Sequence, residues 1–172
     1  MQKYIISALV SNKSGVLNRI SGLFSRRCYN IESLTVSATE DNAFSRMTIV
    51  LIGDEYVKEQ VFKQMDKLID VKKIMIAEEG KSVYRELLLI KVKAEPEVRS
   101  EIVQIQEIYR AKVVDCSLHT MILELTGETS KLNGFIAVLE PYGILEMART
   151  GITALTRGEE CIKDRKDYNE LI

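Results

Sequence analysis

The segment Asn12-Lys13-Ser14-Gly15-Val16-Leu17 puts a glycine where an alternating strand pattern gives way to a helical one. Glycine lets a ligand approach the backbone with no side chain in the way. The amides from Gly15 through Leu17 open the helix and lack intrahelical acceptors. They point along the positive end of the helix dipole, so a carboxylate is favoured there. Asn12 adds an amide that donates or accepts. The same residues also read as an ordinary strand–helix turn with Ser14 near the cap position. Asn30 follows the first helix, where asparagine often ends a helix in the left-handed conformation. It gains a binding role only if a neighbouring chain brings it to the first turn. Asn30 and Asn12 would then hold the ammonium and carboxylate of an amino acid, with apolar neighbours against its side chain.

Other reactive chemistry is sparse. His119 is the single histidine, so a Ser/His/Asp triad, a Cys/His pair or a zinc site would have to be built around it alone. It falls in an apolar strand pair and reads as a packed or partly exposed strand residue. Cys28, Cys116 and Cys161 fit no disulfide framework or zinc spacing, and Cys28 reads as core. Glu78-Glu79 and Glu159-Glu160 lie in linker or tail, with no pocket to perturb them. No P-loop or dinucleotide fingerprint is present. A net charge of -1 gives no global field for nucleic acid or anionic lipid. Arg26-Arg27 and Lys72-Lys73 are too sparse for a nucleic-acid groove, and the central strands lack the paired aromatics of an RNA-recognition module. No apolar run approaches the ~20 residues that span a bilayer, and the N-terminus is not a signal peptide. A cytoplasmic compartment is the expectation.

The 172 residues must supply the elements that position these groups. Alternation over Tyr4–Val10 predicts a strand, and Val16, Leu17, Ile20, Leu23, Phe24 and Cys28 recur at helical spacing. Strands follow at Asn30–Thr39 and Phe44–Ile52, a helix over Val57–Leu68 and a strand at Val71–Ala77. The order then restarts: Val83–Lys93 as a strand, a helix beginning at Pro96, strands at Lys112–His119 and Met121–Thr126, a helix at Thr129–Glu140 and a last strand at Ile144–Thr150. The fold class is therefore α+β, two tandem ferredoxin-like βαββαβ domains, each an antiparallel four-stranded sheet with two helices on one face. The expected division is 1–78, a linker at 79–82 and a second domain at 83–172. The bare sheet faces need cover, from the other half or from a second copy of the chain. The second half places Ala94-Glu95-Pro96-Glu97 at its own first turn. With two acids and no glycine there, no amino acid is expected to bind.

Asn12–Ile20, Gly22–Arg27, Tyr29–Val36 and Ser45–Val50 closely resemble the small, regulatory subunits of acetohydroxyacid synthase, a family that begins with an ACT domain. The likeness continues through Arg85-Glu86-Leu87 and from Gly127-Glu128-Thr129 to Pro141-Tyr142-Gly143. The resemblance implies a non-catalytic subunit that binds and activates a larger catalytic subunit and confers feedback inhibition by valine or another branched-chain amino acid. Thiamine diphosphate, magnesium and FAD are then expected in the catalytic subunit and no cofactor in this chain. It also implies a homodimer paired through its ACT domains. The effector site maps onto Asn12, Gly15, Val16 and Leu17 of one chain and Asn30 and Ile31 of the other. Extending the dimer and contacting the catalytic subunit fall to the second half. The alternative is a free-standing amino-acid sensor acting on another enzyme.

Overall fold

The structure is a computed structural model that describes residues 2–164. The described residues divide into two compact units, residues 2–83 with 152–164, and Tyr84–Gly151.

The first unit is built on β1 (Gln2–Ser11), α1 (Val16–Arg26), β2 (Ile31–Ala38), β3 (Phe44–Gly53), α2 (Glu55–Asp66) and β4 (Val71–Ile76). The antiparallel sheet has the order β2-β3-β1-β4. β1 and β3 pair along their whole length, from Gln2↔Gly53 to Ser11↔Phe44. With a side-chain period of two, Ile6, Ala8 and Val10 share one face with Met47, Ile49 and Leu51. Val16, Ile20, Leu23 and Phe24 form the apolar stripe of α1 against that face, and Val61 and Met65 do the same for α2. Asp54 caps α2, its carboxylate accepting the Val57 amide at 2.8 Å.

The opposite face is covered as well: Ser7, Leu9, Thr48, Val50 and Met75 are all buried. Residues 152–164 supply cover on this side. Thr35 Oγ1 donates to the Ile152 carbonyl at 3.2 Å, and Thr156 Oγ1 to Met75 Sδ at 3.5 Å. A 3₁₀ turn, Ile162–Asp164, packs Ile162 against Leu9 and Met75. The division therefore differs from the expected one, which left everything from 83 onward in a second domain. Burial of this apolar sheet face is the physical reason. The residues expected as a 79–82 linker include Ser82, which already begins a strand.

The second unit repeats the order with β5 (Ser82–Lys93), α3 (Arg99–Tyr109), β6 (Lys112–Cys116), β7 (Thr120–Gly127), α4 (Thr129–Leu139) and β8 (Ile144–Arg149). Its strands run β6-β7-β5-β8, while β9 (Thr153–Thr156) falls among the residues of the first unit. Leu88, Ile90, Val92, Leu123 and Leu125 meet Ile102, Leu132, Phe135 and Leu139 in its core. Glu86, 5% exposed, is held there by Arg149 at 2.7 Å and by the Thr129 hydroxyl, while Arg149 also donates to Asn133 at 3.0 Å. α3 begins at Arg99 rather than Pro96, because residues 96–98 form a turn. β6 ends at Cys116 rather than His119, and His119 stands exposed in the following turn with Nδ1 2.6 Å from Glu95.

No helix among the described residues is long and apolar enough to cross a membrane, which says nothing of β-barrels.

Candidate functional site

β1 ends at Ser11, and three residues carry the chain to α1. Lys13 donates its amide to the Ser11 carbonyl at 3.0 Å, and Val16 donates to Lys13 at 3.3 Å, so the backbone reverses tightly. Gly15 sits at the N-cap with φ 84, in the left-handed region that disfavours other residues. Gly15, not Ser14, is the cap, and no side chain closes the helix start. A Cβ at Gly15 would also lie 3.3 Å from Arg19 Nη1. Glycine is thus required for its backbone angle, and a side chain here would press on Arg19.

The amides of Gly15 and Leu17 meet no acceptor among the described residues. Arg19 sits one turn along, where a side chain four residues on lies over the helix start. Its Nε is held by Asp70 at 2.7 Å, which places its free edge near Gly15. Arg19 is not among the site residues expected from the sequence. Its spacing from Gly15 was the available signal.

Asn12 is fixed at two points by the turn between β2 and β3. Its amide nitrogen donates to the Ala43 carbonyl at 2.8 Å, and its side-chain Nδ2 to the Asn42 carbonyl at 2.9 Å. Asn12 is exposed, and with Nδ2 engaged its Oδ1 is the side-chain acceptor left. The turn therefore offers anion donors and a cation acceptor side by side. Leu17 is 47% exposed beside it. Val16 contributes differently from the expectation: its side chain is in the core and its amide is already turned onto Lys13.

Asn30 and Ile31 stand elsewhere. α1 ends in a Schellman motif, with Tyr29 donating to Phe24 at 3.1 Å and Cys28 to Ser25 at 3.2 Å. Cys28, with φ 55, takes the left-handed position, so Asn30 is not the residue that ends the helix. Because the helix stops at Arg26, Cys28 falls outside the apolar stripe and is exposed rather than core. Asn30 is exposed just before β2, and Ile31 is half-buried against the core. The register decides their relation to the turn. Ile31 pairs with Leu51, and Leu51 with Tyr4. Asn12 lies beyond the other end of β1, eight residues from Tyr4 and about 26 Å away at ~3.3 Å per residue. One chain therefore does not bring the six residues together.

Among the described residues there is no group of three or more His, Cys, Asp or Glu able to hold a metal ion.

Comparison with known proteins matches the chain in two stretches. The family described as "AHAS small subunit-like ACT domain" matches residues 6–73, and that described as "Small subunit of acetolactate synthase" matches residues 85–158. A probable acetolactate synthase small subunit of Archaeoglobus fulgidus is 52% identical over 158 residues, 92% of this chain and 99% of that one. The acetolactate synthase small subunit of Bacillus subtilis is 49% identical over 92% of each chain. The crystal structure of the acetolactate synthase small subunit from Thermotoga maritima superposes with a TM-score of 0.86 at 40% identity, covering 93% of this chain and 100% of that one.

Proposed function

The chain belongs to the family of acetolactate synthase small subunits, and on that premise we propose that it is a non-catalytic regulatory subunit. It binds the catalytic subunit of acetolactate synthase (acetohydroxyacid synthase), raises its activity and makes it sensitive to a branched-chain amino acid, valine first. Thiamine diphosphate, magnesium and FAD belong to the catalytic partner in this reading.

The observation that carries it is the turn at Gly15. Amides at a helix start and the neighbouring Arg19 favour a carboxylate, and Asn12 Oδ1 accepts an ammonium. An α-amino acid presents both groups two bonds apart. Leu17 offers apolar surface to a branched side chain. Asn30 and Ile31 join the site from a second chain, which a two-fold symmetric dimer permits. A ligand bound across two chains favours whichever quaternary arrangement holds it more tightly, and only that difference in affinity transmits a signal. Valine thus favours an arrangement whose contacts with the catalytic subunit lower activity.

The test is inhibition of the reconstituted enzyme by valine, with wild-type chain and with Asn12→Ala. The expected result is inhibition of the wild type that is lost in the variant while activation persists. Equal inhibition of both would remove the site from this turn.

A further inference from the structure

We propose that Ile162 and Lys163 are positioning residues for the effector turn, acting through the Thr39–Phe44 segment between β2 and β3. This rests on the effector reading given above. Both residues lie outside the two stretches matched by the family descriptions, residues 6–73 and 85–158.

The path is a short series of contacts within the first unit. Asn12, whose oxygen must face the ligand, is held by the carbonyls of Asn42 and Ala43. Those two carbonyls belong to a turn stiffened from inside. Asp41 accepts the Ala43 amide on its carboxylate at 2.9 Å and the Phe44 amide on its carbonyl at 2.9 Å. Thr39 Oγ1 donates to the Asp41 carbonyl at 2.9 Å. Such a turn shifts as a body, so whatever sets its position sets Asn12.

The 3₁₀ turn at Ile162–Asp164 grips it twice. Lys163 Nζ reaches Glu40 Oε1 at 2.5 Å, on the tip of the turn. Ile162, 4% exposed, packs in a cluster with Leu9 and Met75, against which Phe44 at the base of the turn also packs. One grip is polar and the other apolar, and they fall at opposite ends of the same six residues. The Glu40 carboxyl is held below its usual range chiefly by the Lys163 hydrogen bond, and Lys163 is raised chiefly by the same bond. Arg46 also bears on Glu40, and Asp41 and Cys161 on Lys163.

The experiment measures the half-inhibitory valine concentration of the reconstituted enzyme with full-length chains. Lys163→Glu is expected to raise it about two- to fivefold, the scale of an exposed ion pair, with valine-free activation unchanged. The double exchange Lys163→Glu with Glu40→Lys is expected to restore it, which a general loss of stability would not do. Ile162→Ala is expected to raise it at least as much and to speed amide hydrogen exchange at Ala43 and Phe44. Asn12→Ala separates the two levels of the argument. If Asn12→Ala is inhibited like wild type, the effector reading fails and this inference with it. If Asn12→Ala is insensitive while Lys163→Glu and Ile162→Ala respond as wild type, this inference alone is overturned. Failure of the double exchange to restore sensitivity also overturns it.

Discussion

The two units share a strand order and a helix order, yet their first strand–helix turns are built oppositely. At Gly15 the backbone is left-handed, and the Gly15 and Leu17 amides meet no acceptor among the described residues. At the second turn, the Glu95 carbonyl accepts both Val98 and Arg99 at 3.1 Å, closing the helix start on itself. Pro96 has no amide to offer. Glu95 and Glu97 add negative charge where a carboxylate would dock, and the Glu95 side chain is taken by His119. Arg99, the cation nearest that turn, is drawn onto the carbonyls of Ala94, Ser117 and Leu118. One topology thus yields an open, donor-rich turn and a closed, acidic one. The difference lies in which polar groups each turn satisfies internally.

Four variants break or sharpen that contrast. Arg149→Met carries the largest expected effect: it strands buried Glu86 and is expected to cost the second unit about 3 kcal/mol, measured by denaturant unfolding, with valine binding by the first unit retained. A loss of valine affinity with no loss of stability would show that the units are not independent in this respect. Gly15→Asp comes next. It forces a side chain into left-handed backbone beside Arg19 and sets a carboxylate against the ligand's own, so valine affinity measured by calorimetry should fall at least about tenfold, or ~1.4 kcal/mol. Glu40 gives a smaller effect. Lys163 depresses its pKa, so this attachment is complete above the ordinary carboxylate pKa of about 4.3 and is lost as pH falls through the lower folded value. Carboxyl-carbon NMR should show Glu40 titrating at lower pH in wild type than in Lys163→Met. Smallest of all, Glu95→Gln with Glu97→Gln should leave the valine stoichiometry unchanged, because the Glu95 carbonyl still closes the turn. A new site there would mean that charge alone separates the two turns.

Much of this was legible in the residues. Alternation and helical spacing placed all eight strands and four helices of the two βαββαβ units, because each element buries one regular face. The positions that escaped sequence reading depend on contacts remote in the chain. β9 and the 3₁₀ turn at Ile162 are short, and only the apolar far face of the first sheet explains them. Cys28 looked like core because its spacing continued the stripe of α1, and the Schellman motif ended the helix two residues sooner. The sharp strand–helix turn at Asn12 and Gly15 was readable from residue type and spacing. The anchoring of Asn12 was not, since it depends on carbonyls thirty residues away. Nor was the separation of Asn12 from Asn30, which the strand register alone reveals.

That separation makes the central claim directly testable: the effector site is shared by two chains. Asn12→Ala and Asn30→Ala chains are unfolded and refolded together, and valine binding is measured by calorimetry. Each variant alone should bind no valine. In a mixed dimer one site carries both substitutions and the other carries neither. Equal mixing should therefore recover about a quarter of the wild-type sites, the statistical share for a two-fold dimer. No recovery on mixing would contradict a site formed between chains.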